Sequence, residues 1–262
     1  MLMLRKLMKY EFMATGRIFL PLFAALLVIS IVNRLFQNLD LRAPAIIGVV
    51  LSVILIAGIL VLALILTLQR FRNNLLSSEG YLMMTLPVRT DGLILSKLFV
   101  ASIWNVASGI VVTIAILIMA ASGISLSDMV RSIREFFASI TMPSSQIVLY
   151  AVEGLILGVL AIFSSVLLLY ACMSLSMLVN RRRGLFTFGA FIVLTTVVQI
   201  LVAILVSIGA GIKIYDSFGI SSMSIFGQSQ LIILAVIVVE AAMCAAYYFI
   251  TRYMLKSRLN LQ

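Results

Sequence analysis

The sequence of 262 residues contains no histidine and only two cysteines, and these absences exclude several kinds of chemistry. Without imidazole or a cluster of thiolates, the usual ligands of a zinc ion are missing. Nucleophile pairs of the Ser–His and Cys–His kind are excluded as well. Cys172 and Cys244 both lie inside apolar runs, which no oxidising machinery reaches, so we expect no disulfide framework.

A phosphate-binding loop is also absent, because the pattern G-x-x-x-x-G-K-[ST] does not occur in the sequence. If ATP drives this protein, another chain therefore supplies the ATPase. Because no nucleophile–base pair or metal set can be assembled, an intramembrane enzyme is a weak alternative. We expect a protein that is not an enzyme and that binds no cofactor itself.

Charged residues are scarce at 11%, whereas 63% of the residues are hydrophobic and the mean hydropathy is +1.24. A soluble globular domain is about half apolar and about a quarter charged. Several apolar runs approach the ~20 residues that cross a bilayer. We therefore predict an all-α polytopic membrane protein, with one transmembrane domain over residues 1–262. The predicted spans are Arg17–Asn33, Pro44–Leu68, Leu93–Ser122, Ile147–Val179, Gly184–Ile212 and Leu231–Ile250.

Acidic residues number 9 against 19 basic ones, which gives a net charge of +10. With six spans, all but five of the basic residues fall on one side of the membrane, together with both termini. The positive-inside rule predicts that this side is cytoplasmic. In a soluble protein such a charge would indicate nucleic acid, but here it orients the spans and meets anionic lipid. The five exceptions are Arg34, Arg42, Arg131, Arg134 and Lys213.

Two amphipathic segments lie outside the predicted spans. In residues 1–16 apolar and basic side chains fall on opposite sides of a helix, although Glu11 interrupts the apolar side, and we predict a helix lying on the inner leaflet. No small-residue cleavage site follows the first span, so we expect no signal-peptide cleavage. Residues 123–146 contain a second amphipathic helix, from Ser127 to Thr141. It rests on the outer leaflet or forms a lid over an exit path.

Two acidic residues, Glu153 and Glu240, lie within apolar runs. A charge inside the bilayer is costly, so each is a candidate for a substrate or proton path. Glu240 is close to the middle of its span and could carry a proton or meet a cationic substrate. The alternative is that it is protonated, or hydrogen-bonded to a neighbouring helix, with no role in transport. For Glu153 the simpler interpretation is a position at the outer interface.

The connection between the second and third spans, residues 69–97, is polar and basic but contains a run of large apolar side chains. Ser77 or Ser78 can cap a short helix there, and Thr90 or Asp91 can cap the helix that follows. Exposed apolar clusters in water mark surfaces that another protein covers. We predict a cytosolic coupling helix that contacts a soluble partner; the alternative is a segment lying on the bilayer surface. Its residues are Glu79, Gly80, Tyr81, Leu82, Met83, Met84, Thr85, Leu86 and Pro87.

Three stretches of the sequence resemble ABC-2 type permeases, the membrane subunits of ABC exporters. They are Arg17–Pro21, Asn74–Val88 and Leu93–Lys97. In its layout the chain is similar to small bacterial permeases from gene clusters for antimicrobial-peptide export or immunity. The segment Lys213–Gln230 is shorter than the re-entrant element that precedes the last span in many members of this family.

The resemblance implies a permease of the bacterial cytoplasmic membrane that pairs with a second permease chain, identical or different. Each permease would dock through Glu79–Pro87 on an ABC ATPase subunit, which binds ATP and Mg²⁺, and the substrate, such as a peptide or other amphipathic compound, would leave between the two halves. Two other interpretations stay open. One is the membrane solute-binding subunit of an importer, which would be expected to contain a polar pocket. The other is a proton-coupled carrier that uses Glu240.

Overall fold

The computed structural model describes residues 2–75, 90–120, 143–179, 183–211 and 224–257, together with Asp128, Arg131, Ser132, Arg134 and Glu135. Within these residues the structure is helical and contains no strand, which confirms the all-α prediction. The six long helices are α1 (Leu2–Asn38), α2 (Arg42–Leu75), α3 (Thr90–Ala120), α4 (Ser144–Ser176), α5 (Arg183–Gly211) and α6 (Ile225–Ser257). Each contains a segment that is long and apolar enough to cross a bilayer, so the prediction of six span-capable helices is confirmed.

The first helix differs from the sequence prediction. α1 continues without a break from Leu2 to Asn38, and a separate interfacial helix at residues 1–16 is not confirmed. Pro21, which falls near the start of the predicted span Arg17–Asn33, lies inside this longer helix. A proline has no backbone N–H and removes one hydrogen bond of the helix. Packing of α1 against its neighbours offsets that loss.

A tight turn joins α1 to α2. The amide of Leu41 donates to the carbonyl of Phe36 at 3.0 Å, and the amide of Asp40 donates to that of Gln37 at 3.2 Å. These two bonds form a Schellman motif, which requires a left-handed residue after the helix. Asp40 takes that conformation with a φ of 56°, and aspartate is one of the few residues other than glycine that tolerates it. The turn reverses the chain and leads directly into α2.

The helices group into two compact units. The first consists of Met1–Arg70 and Leu95–Leu149. Its core is aromatic: the ring of Trp104 in α3 stacks on Phe12 and Phe19 of α1, with centroids 4.9 and 5.2 Å apart. A Cβ atom on Gly16 would lie 3.2 Å from the Trp104 ring, so the absence of a side chain there allows the close approach. Trp104 is the single tryptophan of the sequence.

The second unit consists of Phe71–Ile94 and Tyr150–Gln262. Polar contacts connect α4 and α6 along their length, beginning with Tyr150 and Ser229, whose hydroxyl oxygens are 2.6 Å apart. The side chain of Ser224 caps α6 through the amide of Gly227 at 3.2 Å. α5 differs from the other helices, because no residue of its segment Gly184–Ile204 is buried.

The amphipathic helix predicted for residues 123–146 is described only at five positions between 128 and 135. They are helical and exposed, and Arg131 forms an ion pair with Glu135 at 2.8 Å. The apolar side predicted for this helix falls on residues outside the described part, as does most of Lys213–Gln230.

Candidate functional site

The predicted coupling helix, Glu79–Pro87, lies outside the described residues. The structure does describe the helices on either side of it, since α2 ends at Leu75 and α3 begins at Thr90. Residues 76–89 therefore separate the described parts of the two helices. The described contacts near the end of α2 and the start of α3 show what holds these two helix ends in place.

In the first unit, a single carboxylate binds both helices. Arg70 of α2 donates from Nη1 to Oε2 of Glu11 at 2.7 Å and to the Glu11 backbone carbonyl at 3.1 Å. Lys97 of α3 donates from Nζ to the other oxygen, Oε1, at 2.7 Å. Glu11 belongs to α1, so its side chain ties α1, α2 and α3 together. We call Glu11, Arg70 and Lys97 the ion triad.

The ion triad is mostly buried. The exposed fractions of the side chains are 2% for Lys97, 9% for Glu11 and 24% for Arg70. Removing one partner of a buried ion pair costs about 3–5 kcal/mol, because the remaining charge is left without compensation. The three helices are therefore held in register at this position.

In the second unit, the first turn of α3 is also anchored. Asp91 accepts a hydrogen bond from the hydroxyl of Tyr248 and forms an ion pair with Nε of Arg252, both at 2.8 Å. A negative charge is favourable at the start of a helix, where the backbone N–H groups are unpaired. Asp91 and Arg252 are 33% and 43% exposed, so this pair is weaker than a buried one, worth about 1 kcal/mol or less.

The end of α2 has an anchor in the second unit as well. The ring of Phe71 stacks on Tyr170 of α4 with centroids 4.1 Å apart, and both rings are almost fully buried. Two buried aromatic rings in this arrangement contribute about 0.5–1.5 kcal/mol beyond the area they remove from solvent. Residues 76–89 are therefore flanked on both sides by anchored helices.

The ion triad was not predicted from the sequence. The sequence placed Arg70 in the connection between two spans, whereas it lies inside α2; Lys97 lies in the helix that was predicted to begin at Thr90 or Asp91. Glu11 interrupts the apolar side of the helix predicted at residues 1–16, and the structure places its carboxylate in a contact with Arg70 and Lys97. The available signal was the acid itself, since a lone carboxylate among apolar residues is buried only when a cation pairs with it.

Glu153 and Glu240 each meet a neutral donor on a neighbouring helix. Ser164 of α4 donates to Oε1 of Glu240 in α6, and Gln230 of α6 donates to Oε2 of Glu153 in α4 at 3.2 Å. In the described part of the chain no hydrogen bond or ion pair joins the two acids to each other or to a cation. These contacts are those expected if the acids connect helices. A role in transport stays a prediction.

An apolar cavity of about 570 Å³ lies in the second unit, where the chain turns from α4 to α5. Its walls include Leu178, Phe186 and Val193, and every lining side chain is apolar. Binding sites for small polar solutes contain a few convergent polar groups. This cavity therefore does not provide the polar pocket that the importer interpretation expects.

The described residues contain no group of three or more histidine, cysteine or acidic side chains that could hold a metal ion. Both cysteines are free thiols. No family model matches the chain, and comparisons with curated proteins and with solved structures find no match. The function is therefore inferred from the residues and geometry given above.

Proposed function

We propose that this chain is the membrane-spanning permease subunit of an ATP-binding-cassette exporter in a bacterial cytoplasmic membrane. A separate ATPase subunit binds ATP and Mg²⁺ and docks at the coupling helix, Glu79–Pro87. A second permease chain completes the translocation path, and a peptide or other amphipathic compound moves outward between the two halves. The six span-capable helices and the resemblance of Asn74–Val88 to ABC-2 type permeases support the proposal.

The observation that carries the proposal is the anchoring of both helix ends beside residues 76–89. Arg70 is five residues before the end of α2, and Lys97 is seven residues after the start of α3, so both lie within about two helical turns of the connection. Both bind the same buried carboxylate of Glu11. A segment that only rests on the bilayer surface does not require such anchors.

In this proposal the anchors transmit force. Movement of the ATPase displaces the coupling helix, and the displacement passes into α2 and α3. Because Glu11 and Lys97 are buried, neither helix can slide past α1 without leaving an unpaired charge. The three helices therefore move together near the connection, which converts a local push into a movement of the membrane part.

Co-purification of the permease from its native membrane tests the proposal, with the bound ATPase identified by mass spectrometry. Tyr81→Ala and Leu82→Ala are expected to lose the ATPase, or to retain it with ATP hydrolysis no longer linked to transport. Large apolar side chains anchor small interfaces, so their truncation weakens docking. The variants should still insert and fold, because no span is changed.

Leu178→Ala is the matched control. Leu178 is 55% exposed in the turn after α4, and the positive-inside rule places that turn on the same side of the membrane as residues 76–89. This variant should bind the ATPase and transport normally. Normal co-purification and wild-type transport for both Tyr81→Ala and Leu82→Ala would show that the segment is not the docking site.

A further inference from the structure

The ion triad has an unbalanced charge. Its two cations, Arg70 and Lys97, share the one carboxylate of Glu11, so the cluster carries a net charge of +1. In the described part of the first unit the other acids are Asp40, Asp128 and Glu135, and none of them forms an ion pair with Arg70 or Lys97. A buried excess charge is costly and calls for a counter-ion.

The geometry also shows where a counter-ion would bind. The side chain of Lys97 is 2% exposed and forms its ion pair with Glu11, whereas the side chain of Arg70 is 24% exposed. The Nε atom of Arg70 is buried and has no hydrogen-bond partner among the described residues. An arginine presents its donors in a rigid planar fork that matches the oxygens of phosphate. The more exposed cation of the triad is therefore also the group that is best suited to an anion.

We propose that the ion triad is a binding site for a phosphate group, with Arg70 as the ligand and Lys97 as the source of the spare charge. The phosphate of an anionic phospholipid and free inorganic phosphate share this chemistry. Basic sites between transmembrane helices on the cytoplasmic side bind lipid head groups in other proteins. The bound phosphate neutralises the triad and fixes α2 to α1 and α3. The site belongs to the permease chain alone and does not depend on an ATPase.

Binding is measured on the full-length chain in nanodiscs, first with phosphatidylcholine alone and then with added phosphatidylglycerol. Native mass spectrometry counts the retained anionic lipid, and the emission of Trp104, which stacks on Phe12 next to Glu11 in the sequence, follows binding. Inorganic phosphate is titrated into the phosphatidylcholine sample. Retained phosphatidylglycerol assigns the site to lipid, whereas an emission change with phosphate alone assigns it to free phosphate.

Two variants should remove the site. Arg70→Gln deletes the ligand, and Lys97→Met leaves Glu11 and Arg70 as a neutral pair of similar volume. Each is expected to weaken phosphate binding by about tenfold or more, since hydrogen bonds to charged groups are the stronger ones. Lys97→Met is the decisive variant, because it keeps an ion pair and an apolar chain in the buried position and so retains the fold.

Arg72→Gln is the matched control, because it removes the same charge from an exposed position two residues further along α2. It should change binding less than twofold, about the size of a screened surface charge. Equal losses in Arg70→Gln and Arg72→Gln would show non-specific attraction and overturn the proposal. Binding in Lys97→Met as tight as in the native chain would overturn it as well.

Glu79→Gln tests whether an acid of the chain itself neutralises the ion triad. Glu79 is the only acid in the sequence of residues 76–89. If Glu79 neutralises the triad, the native chain should bind no phosphate and the variant should bind it, which would assign the spare charge to the protein itself. Phosphate binding of equal strength in both proteins supports the site proposed here.

Discussion

Glu11 lies on the side of α1 that otherwise carries the residues packed against Trp104. A carboxylate there is tolerated because Arg70 and Lys97 both reach it at 2.7 Å. The backbone carbonyl of Glu11 takes part as well, since the hydroxyl of Thr15 donates to it at 2.8 Å. At the scale of single residues, the first unit thus depends on one acid that has two cationic partners.

Glu11→Ala is expected to lower the free energy of unfolding by about 3–5 kcal/mol, because it leaves two cations without a counter-ion in a mostly buried site. Thermal unfolding in detergent, followed by Trp104 emission, measures the change. Glu135→Ala is the control: its pair with Arg131 is 65% and 77% exposed, and its loss should cost about 0.5 kcal/mol or less. Similar effects for the two variants would show that the ion triad is not a structural anchor.

Glu240→Gln separates a structural role from a transport role. The amide oxygen of glutamine can accept the hydrogen bond of Ser164 and has nearly the same volume, so expression and stability should be unchanged. Glu240→Leu loses the acceptor and should cost about 1 kcal/mol. If transport is unchanged in Glu240→Gln at several pH values, Glu240 only connects α4 and α6. Reduced transport at normal stability would assign it to a proton or substrate path.

At the scale of helices, the contact between α1 and α2 depends on a glycine. A Cβ atom on Gly48 would lie 2.5 Å from Oδ1 and 3.1 Å from Cβ of Asn33, which is fully buried. Gly48→Ala must therefore displace the Asn33 side chain or move the two helices apart, and should cost about 1–3 kcal/mol.

Gly58→Ala is the matched control on the same helix. A Cβ atom on Gly58 has no neighbour within 4 Å, and alanine is favoured over glycine inside a helix by about 0.5–1 kcal/mol. Differential scanning fluorimetry in one detergent measures both variants. Equal stability of Gly48→Ala and Gly58→Ala would show that the contact between α1 and α2 does not depend on Gly48.

A comparison of the predicted and observed helices shows how much of the fold could be predicted from the sequence. Span positions follow from local hydropathy, so six helices were predictable from residues close together in the chain. The ion triad joins residues 59 and 86 positions apart, and no local pattern records which distant cation meets Glu11. The start of α3 at Thr90 was close to its predicted position, because capping is also a local property. The coupling helix itself lies outside the described residues and stays a prediction.

At the scale of the whole molecule, we expect both termini on the cytoplasmic side. The prediction follows from the uneven distribution of the 19 basic residues over the two sides of a six-span protein. Single cysteines at Asn260 and Ser125, in a chain whose native cysteines are replaced, are tested with a membrane-impermeant reagent. Ser125→Cys should react from outside in intact cells and Asn260→Cys only after permeabilisation. Labelling of Asn260→Cys from outside would reverse the topology.

The lack of buried residues in the segment Gly184–Ile204 of α5 has a consequence for biosynthesis. During synthesis the translocon transfers each apolar segment from an aqueous pore into lipid, and a charge at the centre of the segment costs about 2.5–3.5 kcal/mol. Where a helix has buried positions, protein contacts can later shelter such a charge. In the described part of α5, Gly184–Ile204 has a mean hydropathy of 2.3 and no buried residue, so it offers no shelter. An arginine placed at Val198 would keep this segment out of the lipid, and α6 and the C-terminus would then finish on the opposite side.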